Sequence, residues 1–274
     1  NTKNLTGEFA WSSNFNISFN KNKVLEVGVD GRPIYGSAAN ANNAFITKPG
    51  YPIASFYGYK YIGVFQSEEE LAKYPHLSGD KVGDGRYEDV NKDGVLDQND
   101  KTILGDNNPL FTAGFSNSFS YKNFTLDIQF TGSYGAEVFS FYKRMCGIYH
   151  GDRNGMIEQL GRWQSKDQPG DGIHFRPTRT PSGWQRDPSS AWVQDASYLR
   201  LRNLTLGYNF DQKVLDKMKM KGLRLYVTGQ NLFTITNYVG YDPETSSESG
   251  LAQGGDYLGY PAARSFIIGA NITF

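Results

Sequence analysis

The chain has 274 residues, with 28 Lys and Arg balanced by 28 Asp and Glu, so it lacks the basic footprint of a nucleic-acid binder. Mean hydropathy is −0.54 and no run of about 18 apolar residues occurs, which excludes transmembrane helices. The single cysteine, Cys146, excludes an internal disulfide and any cysteine-built zinc cage.

None of this excludes a membrane barrel, in which every lipid-facing side chain is diluted by a lumen-facing one. Aromatic residues reach 15%, heavy for a soluble domain and ordinary for a barrel with interfacial girdles. The first residues carry neither Met nor a basic-then-apolar leader, and Phe9 and Trp11 are already in strand pattern. We expect a piece of a longer polypeptide.

Residues 7–19 place Phe9, Trp11, Phe15, Ile17 and Phe19 on one face, and 20–23 (NKNK) read as a turn into a short strand over 24–29. Residues 30–108 form a long loop. Its aromatic stretch 51–65 offers Tyr57 and Tyr59 as ring platforms for a sugar or peptide, or as the packing of a loop ribbon.

Within that loop, residues 89–100 match the twelve-residue calcium loop. Asp89, Asn91 and Asp93 stand at positions 1, 3 and 5, Gly94 at the turn, the Val95 carbonyl at 7, Asp97 at 9 and Asp100 at 12. Calcium takes six to eight hard oxygens, and this spacing wraps them round one point. Asp in place of Glu at position 12 shortens the reach, and no helices flank the loop. The ion would be structural; the alternative is a solvated Asp/Asn turn.

The clearest hairpin follows. Phe111, Ala113, Phe115, Phe119 and Tyr121 alternate with Thr112, Gly114, Ser116, Ser118 and Ser120, and after a turn at 122–123 the alternation resumes with Phe124, Leu126, Ile128 and Phe130. A second long loop, 137–195, carries Trp163, Trp184 and Trp192 as ligand platforms or packing anchors, with short helices expected at 139–145 and 155–163. His76, His150 and His174 are scattered without metal spacing.

Strands at 196–210 and 222–237 are joined by a basic turn, 211–221. Arg200 and Arg202 share parity with Leu204, Leu206 and Tyr208, and an arginine facing lipid at mid-depth costs about 2–4 kcal/mol. Either a bulge near Asn203 flips the register, or both arginines stand above the membrane. The second is preferred, since they lie nearest the outer loop. After a third long loop, 238–261, the chain closes on an unbroken alternation of Phe266, Ile268, Ala270, Ile272 and Phe274.

Seven strands with alternating short and long connections, the last descending, put all short turns on one side, which in outer-membrane barrels is periplasmic. Seven cannot close a barrel, and an open edge in hydrocarbon leaves backbone groups unsatisfied. The fold class is therefore all-β, a part of a transmembrane antiparallel barrel. No G-x-S-x-G elbow, phosphate loop or dinucleotide fingerprint occurs, so no enzyme is expected. A secreted calcium-stabilised β-sandwich that binds glycans is the alternative; an adhesin or other barrel without transport is a third.

The runs GDGRYEDVNKDGVLDQNDKTILGDNNPLFTAGFSNSFSYKNFTL (83–126), DASYLRLRNLTLGYNF (195–210), LRLYVTGQNLFTITNY (223–238) and PAARSFIIGANITF (261–274), with GYPIASFYGYKYIGVFQ (50–66), resemble the C-terminal part of SusC-like (SusC/RagA) TonB-dependent outer-membrane transporters. The resemblance implies a 22-stranded barrel with these strands as 16 to 22, outer loops in the extracellular space and a periplasmic C-terminus in a Bacteroidetes-type outer membrane. It also implies an N-terminal plug and TonB-engaging segment outside this chain, a SusD-like surface lipoprotein partner, and import of oligosaccharides or peptides.

Overall fold

A computed structural model describes residues 1–38, 41–147, 154–177, 188–245 and 249–274, without the side chain of Met145. Its largest element is a seven-stranded antiparallel sheet. The strands are β1 (Thr2–Leu5), β2 (Phe9–Ser18), β9 (Phe111–Tyr121), β10 (Phe124–Tyr134), β13 (Tyr198–Asn209), β14 (Gly222–Thr236) and β16 (Ser265–Thr273), in that spatial order. Neighbours in space are neighbours in sequence once the long loops are removed, as an up-and-down barrel wall requires.

One strand differs from expectation. Residues 24–29 are not a strand; Val24 instead exchanges backbone bonds with Gly50 and Tyr51 in the loop layer. The first strand is β1, which turns through residues 6–8 into β2, and β2 pairs directly with β9. Residues 7–19 therefore run opposite to the direction expected. Alternation fixes which face a side chain takes, not which way the strand points, and the turn into β2 depends on Gly7 at φ +144, a conformation glycine adopts most easily. One strand lost and one gained leave the count at seven. The short connections are 6–8, 122–123 and 210–221, all at one end of the sheet.

The basic connection folds as a short helix (Gln212–Met218) whose Leu215 is buried and whose C-cap, Lys219, is left-handed. Among the described residues no helix is long and apolar enough to cross a membrane, which leaves strands untouched by that test.

The register resolves the arginine problem in favour of the bulge. Gln129 pairs with Asn203 but Phe130 with Leu201, so Arg202 is an extra residue in β13. Leu199 and Leu201 thereby join the face of Leu204, Leu206 and Tyr208, and Arg200 turns to the other.

The hydrophobic core lies in the loops, not under the sheet. β3 (Ile34–Ala38), β4 (Ala41–Thr47), β5 (Ser55–Gly58) and β8 (Thr102–Gly105) form one small sheet; β6 (Tyr61–Val64) pairs with β7 (Gly85–Tyr87); β11 (Glu137–Ser140) lies between β12 (Val193–Asp195) and β15 (Gly255–Asp256). Phe45, Phe56, Phe139 and Phe141 are wholly buried where these pieces meet. Gly58 lies against the backbone of residue 188, where a Cβ would fall 2.1 Å from the Pro188 carbonyl oxygen; Tyr59 and Ser190 bond across the same seam. The described parts of the three long loops form one packed layer.

Candidate functional site

The first functional surface is the apolar face of the sheet. Phe266, Ile268 and Ile272 are 72%, 83% and 48% exposed, with nothing packed over them among the described residues. Along β10 the face runs from Phe124 to Tyr134, ten steps of about 3.3 Å or about 33 Å, which is about 25 Å high at a tilt of about 40°. That is the height of the apolar band of an outer-membrane barrel.

Aromatic rings mark both margins. Phe124 and Tyr208 touch at 4.9 Å beside the short turns, and Phe19, Phe111 and Tyr134 form a row at the loop end, with centroids 6.2 and 5.5 Å apart. The opposite face is small and polar: Ser116, Ser118 and Ser120 face Gln129, Asp127 and Thr125, and Arg224 reaches Thr125 Oγ1 at 3.2 Å. A few polar side chains interrupt the apolar face: Ser13 of β2 pairs with Asn117 of β9, and Asn117, which is buried, accepts the indole N–H of Trp11 at 2.9 Å.

The second feature fastens a loop to the wall. The Arg200 side chain, 3% exposed, donates to Asp242 Oδ1 at 2.6 Å, to Glu244 Oε2 and to Thr234 Oγ1 at 2.8 Å. Arg202 reaches the other Glu244 oxygen at 2.6 Å, and Tyr198 donates its hydroxyl to the same oxygen at 2.6 Å. Burial raises the Asp242 carboxyl, but Arg200 and the backbone N–H groups of Glu244 and Ala262 outweigh it and hold its pKa below the ordinary range. Deeper in the loop layer, burial and the hydrogen bond to Asp256 push the Tyr238 phenol up.

The calcium-loop residues close on themselves. Asp89 accepts the N–H groups of Lys92 at 2.6 Å and Gly94 at 2.9 Å, and Asn91 and Asp93 accept from the second residue after each. Asp100 is fully buried, with Val90 and Asn91 on one oxygen and Asp97 on the other. Apart from the Asp100 oxygen that already takes two N–H groups, the accepting oxygens each keep a further lone pair, and they are the hard oxygens calcium takes. The set fits that ion in kind and spacing, although no three acidic or histidine side chains converge on one point among the described residues.

The ring candidates divide. Tyr57 is half-buried, 5.9 Å from the Tyr35 ring, and keeps an open edge. Tyr59 is wholly buried between Tyr87 and the Lys101 ammonium, so its ring offers no face to a ligand. Trp192 is 3% exposed and edge-on to Phe175, which makes it a core anchor. Trp163 is half-buried, and Trp184 lies outside the described residues, as does His150. His174 is bonded to Asp171 at 2.6 Å, and His76 to the Tyr74 carbonyl. The helix expected at 139–145 is found at Phe141–Gly147, and that at 155–163 is a 3-10 turn, Ile157–Gly161. The sequence reading missed the Arg200–Asp242–Glu244 knot; acidic residues soon after a strand that follows a buried arginine were the available signal.

No protein-family model matches the chain. It is 35% identical over 286 residues to TonB-dependent receptor P3 of Formosa agariphila, covering all of this chain and 28% of that protein. Receptor SusC of Bacteroides thetaiotaomicron is 26% identical over 279 residues, 98% of this chain and 25% of SusC. The structure of the RagAB peptide transporter superposes with a TM-score of 0.76 at 20% identity, over 97% of this chain and 27% of that one. The chain thus spans little more than a quarter of the length of these relatives. With the wall, the loop layer and these likenesses, it belongs to the SusC-like TonB-dependent receptors, as a segment that fits their C-terminal part.

Proposed function

We propose that this segment supplies barrel wall and outer loops to a TonB-dependent outer-membrane nutrient importer. The observation that carries this is a sheet whose apolar face, about 25 Å high, is uncovered while the true core sits in the loops at one end. A water-soluble sandwich would bury that face against a second sheet. The two edge strands, β1 and β16, each have one neighbour, and hydrocarbon tolerates no open edge, so the rest of the barrel must flank both.

In this reading the seven strands are 16 to 22 of a 22-stranded barrel, the loop layer is extracellular and the C-terminus periplasmic. A SusD-like lipoprotein meets the loop layer. An oligosaccharide or a peptide binds between the two, with Tyr57 and Trp163 as contacts, and a plug outside this chain is displaced through TonB. A calcium ion at Asp89, Asn91, Asp93, Val95, Asp97 and Asp100 stiffens the first loop. The test is deletion of the full-length gene in its host with uptake of labelled glycans and peptides measured, alongside recovery of a lipoprotein with the detergent-extracted receptor. Unchanged uptake and a receptor that purifies alone would refute it.

A further inference from the structure

The loop layer holds a small hollow of about 140 Å³ between the helix Phe141–Gly147, the 3-10 turn Ile157–Gly161 and residues 190–193. Trp192 and Phe175, set edge-on to each other, supply its apolar wall. Its polar lining is unmatched. Gln159 is 8% exposed and its backbone carbonyl accepts from Arg162, yet its side-chain amide makes no hydrogen bond among the described residues. Lys143 and Glu158, both half-buried, line the same hollow and form no ion pair with each other or with any other described residue. The turn that carries Gln159 is also inverted for a surface facing water. Ile157 and Leu160 are 80% and 75% exposed, while the polar side chain between them is the buried one. Ile173, exposed as well, adds an apolar side chain to the lining. A buried amide without a partner costs free energy that a bound one would return.

We propose that this hollow binds a short zwitterionic peptide with an apolar side chain. The assignment rests on the importer reading above and chooses between its two cargoes. A cavity of about 150 Å³ takes a benzene ring, so this one seats a single leucyl or phenyl side chain against Trp192 and Phe175. Gln159 carries both a donor and an acceptor, the two things a peptide unit needs in return. Lys143 receives the terminal carboxylate and Glu158 the terminal ammonium, so each charge the protein leaves unpaired gains a partner. A neutral oligosaccharide answers neither charge and has no apolar side chain to set against Ile157, Leu160 and Ile173. The ring it would stack on, Trp192, is buried.

The experiment titrates the detergent-extracted, full-length receptor by calorimetry with Leu-Leu, N-acetyl-Leu-Leu, Leu-Leu-amide and maltotriose. The wild type should bind Leu-Leu, bind each capped form about five-fold more weakly, and leave maltotriose unbound. Gln159→Leu should weaken Leu-Leu about ten-fold, the loss of one hydrogen bond to a buried group, while still migrating as a folded barrel in unheated gels. Lys143→Gln and Glu158→Gln, at half-buried positions, keep the test open if that variant does not fold. Lys143→Gln should bind Leu-Leu and its amide equally, and Glu158→Gln should bind Leu-Leu and its acetyl form equally. No binding of Leu-Leu, indifference of the wild type to both caps, or maltotriose binding that these variants weaken would overturn the peptide pocket alone. A receptor recovered from the soluble fraction without detergent would instead overturn the barrel reading beneath it.

Discussion

Trp11 donates its indole N–H to Asn117 Oδ1 at 2.9 Å, joining β2 to β9 on the largely apolar face. A side-chain amide in hydrocarbon without a partner is costly, and this bond supplies one. Trp11→Phe should lower the stability of the detergent-folded receptor by about 1–3 kcal/mol, the cost of a buried polar group left unmade. In an Asn117→Leu background the same change should cost much less, because no amide remains to satisfy. Unfolding followed by gel migration in the four variants checks this; equal losses in both backgrounds would remove the bond from the account.

Arg200 is the pivot between wall and loop. Breaking a buried ion pair by removing one partner costs about 3–5 kcal/mol, since the other is left without its counter-charge. Arg200→Ala should free residues 237–264 from the wall and expose them to protease, with the β9–β10 hairpin unaffected. Arg200→Lys should rescue only in part, because a lysine cannot reach Asp242 and Glu244 as a fork.

The same knot sets a pH dependence. The folded pKa of Asp242 is depressed below its ordinary value of 3.8, so the unfolded form binds its proton first. Its contribution is present above that value and is lost as pH falls through the lower, folded one. Hydrogen exchange in residues 237–245 and 249–264, taken relative to the intrinsic rate at each pH, should be flat from neutral pH down to about 5 and rise below about 4. A rise that begins near neutral pH would assign the loop's anchoring to another group.

Much of this was legible because one pattern repeats. The hairpin of β9 and β10, broken only at Asn117, and the closing strand alternate along their length, and the structure finds each with the expected faces. Three things were hidden. Four residues, Thr2–Leu5, are too few for a period, and the six at 24–29 have one by accident of composition. The extra residue at Arg202 leaves the spacing of the charges unchanged while turning the chain over, so parity alone left the bulge and a position above the membrane both open, and the bulge was not the one preferred. The loop core depends on pairs such as Phe45 with Phe139, whose rings are 5.9 Å apart although far separated in sequence, and no local rule joins them. That is why the sequence left Tyr59 and Trp192 open between ring platform and packing, and the structure makes both of them packing.

For the calcium loop, Asp93→Ala should abolish calcium-dependent protection of residues 85–105 from protease. Ligand at a hundredfold its dissociation constant stabilises a site by about 2.7 kcal/mol, enough to read in wild type against a chelator control. Equal cleavage with and without calcium would leave the loop to its own hydrogen bonds.

The most direct measurement asks what solvent surrounds the closing strand. With Cys146 replaced by serine in the full-length receptor, a nitroxide is placed in turn at positions 266 to 272 and its collisions with oxygen and with a water-soluble nickel chelate are compared. Positions 266, 268, 270 and 272 should favour oxygen, which dissolves in lipid, and 267, 269 and 271 the chelate, in strict alternation. Labels at 266 and 268 that meet neither reagent would mean a protein interior, and the barrel wall would be the wrong description of this chain.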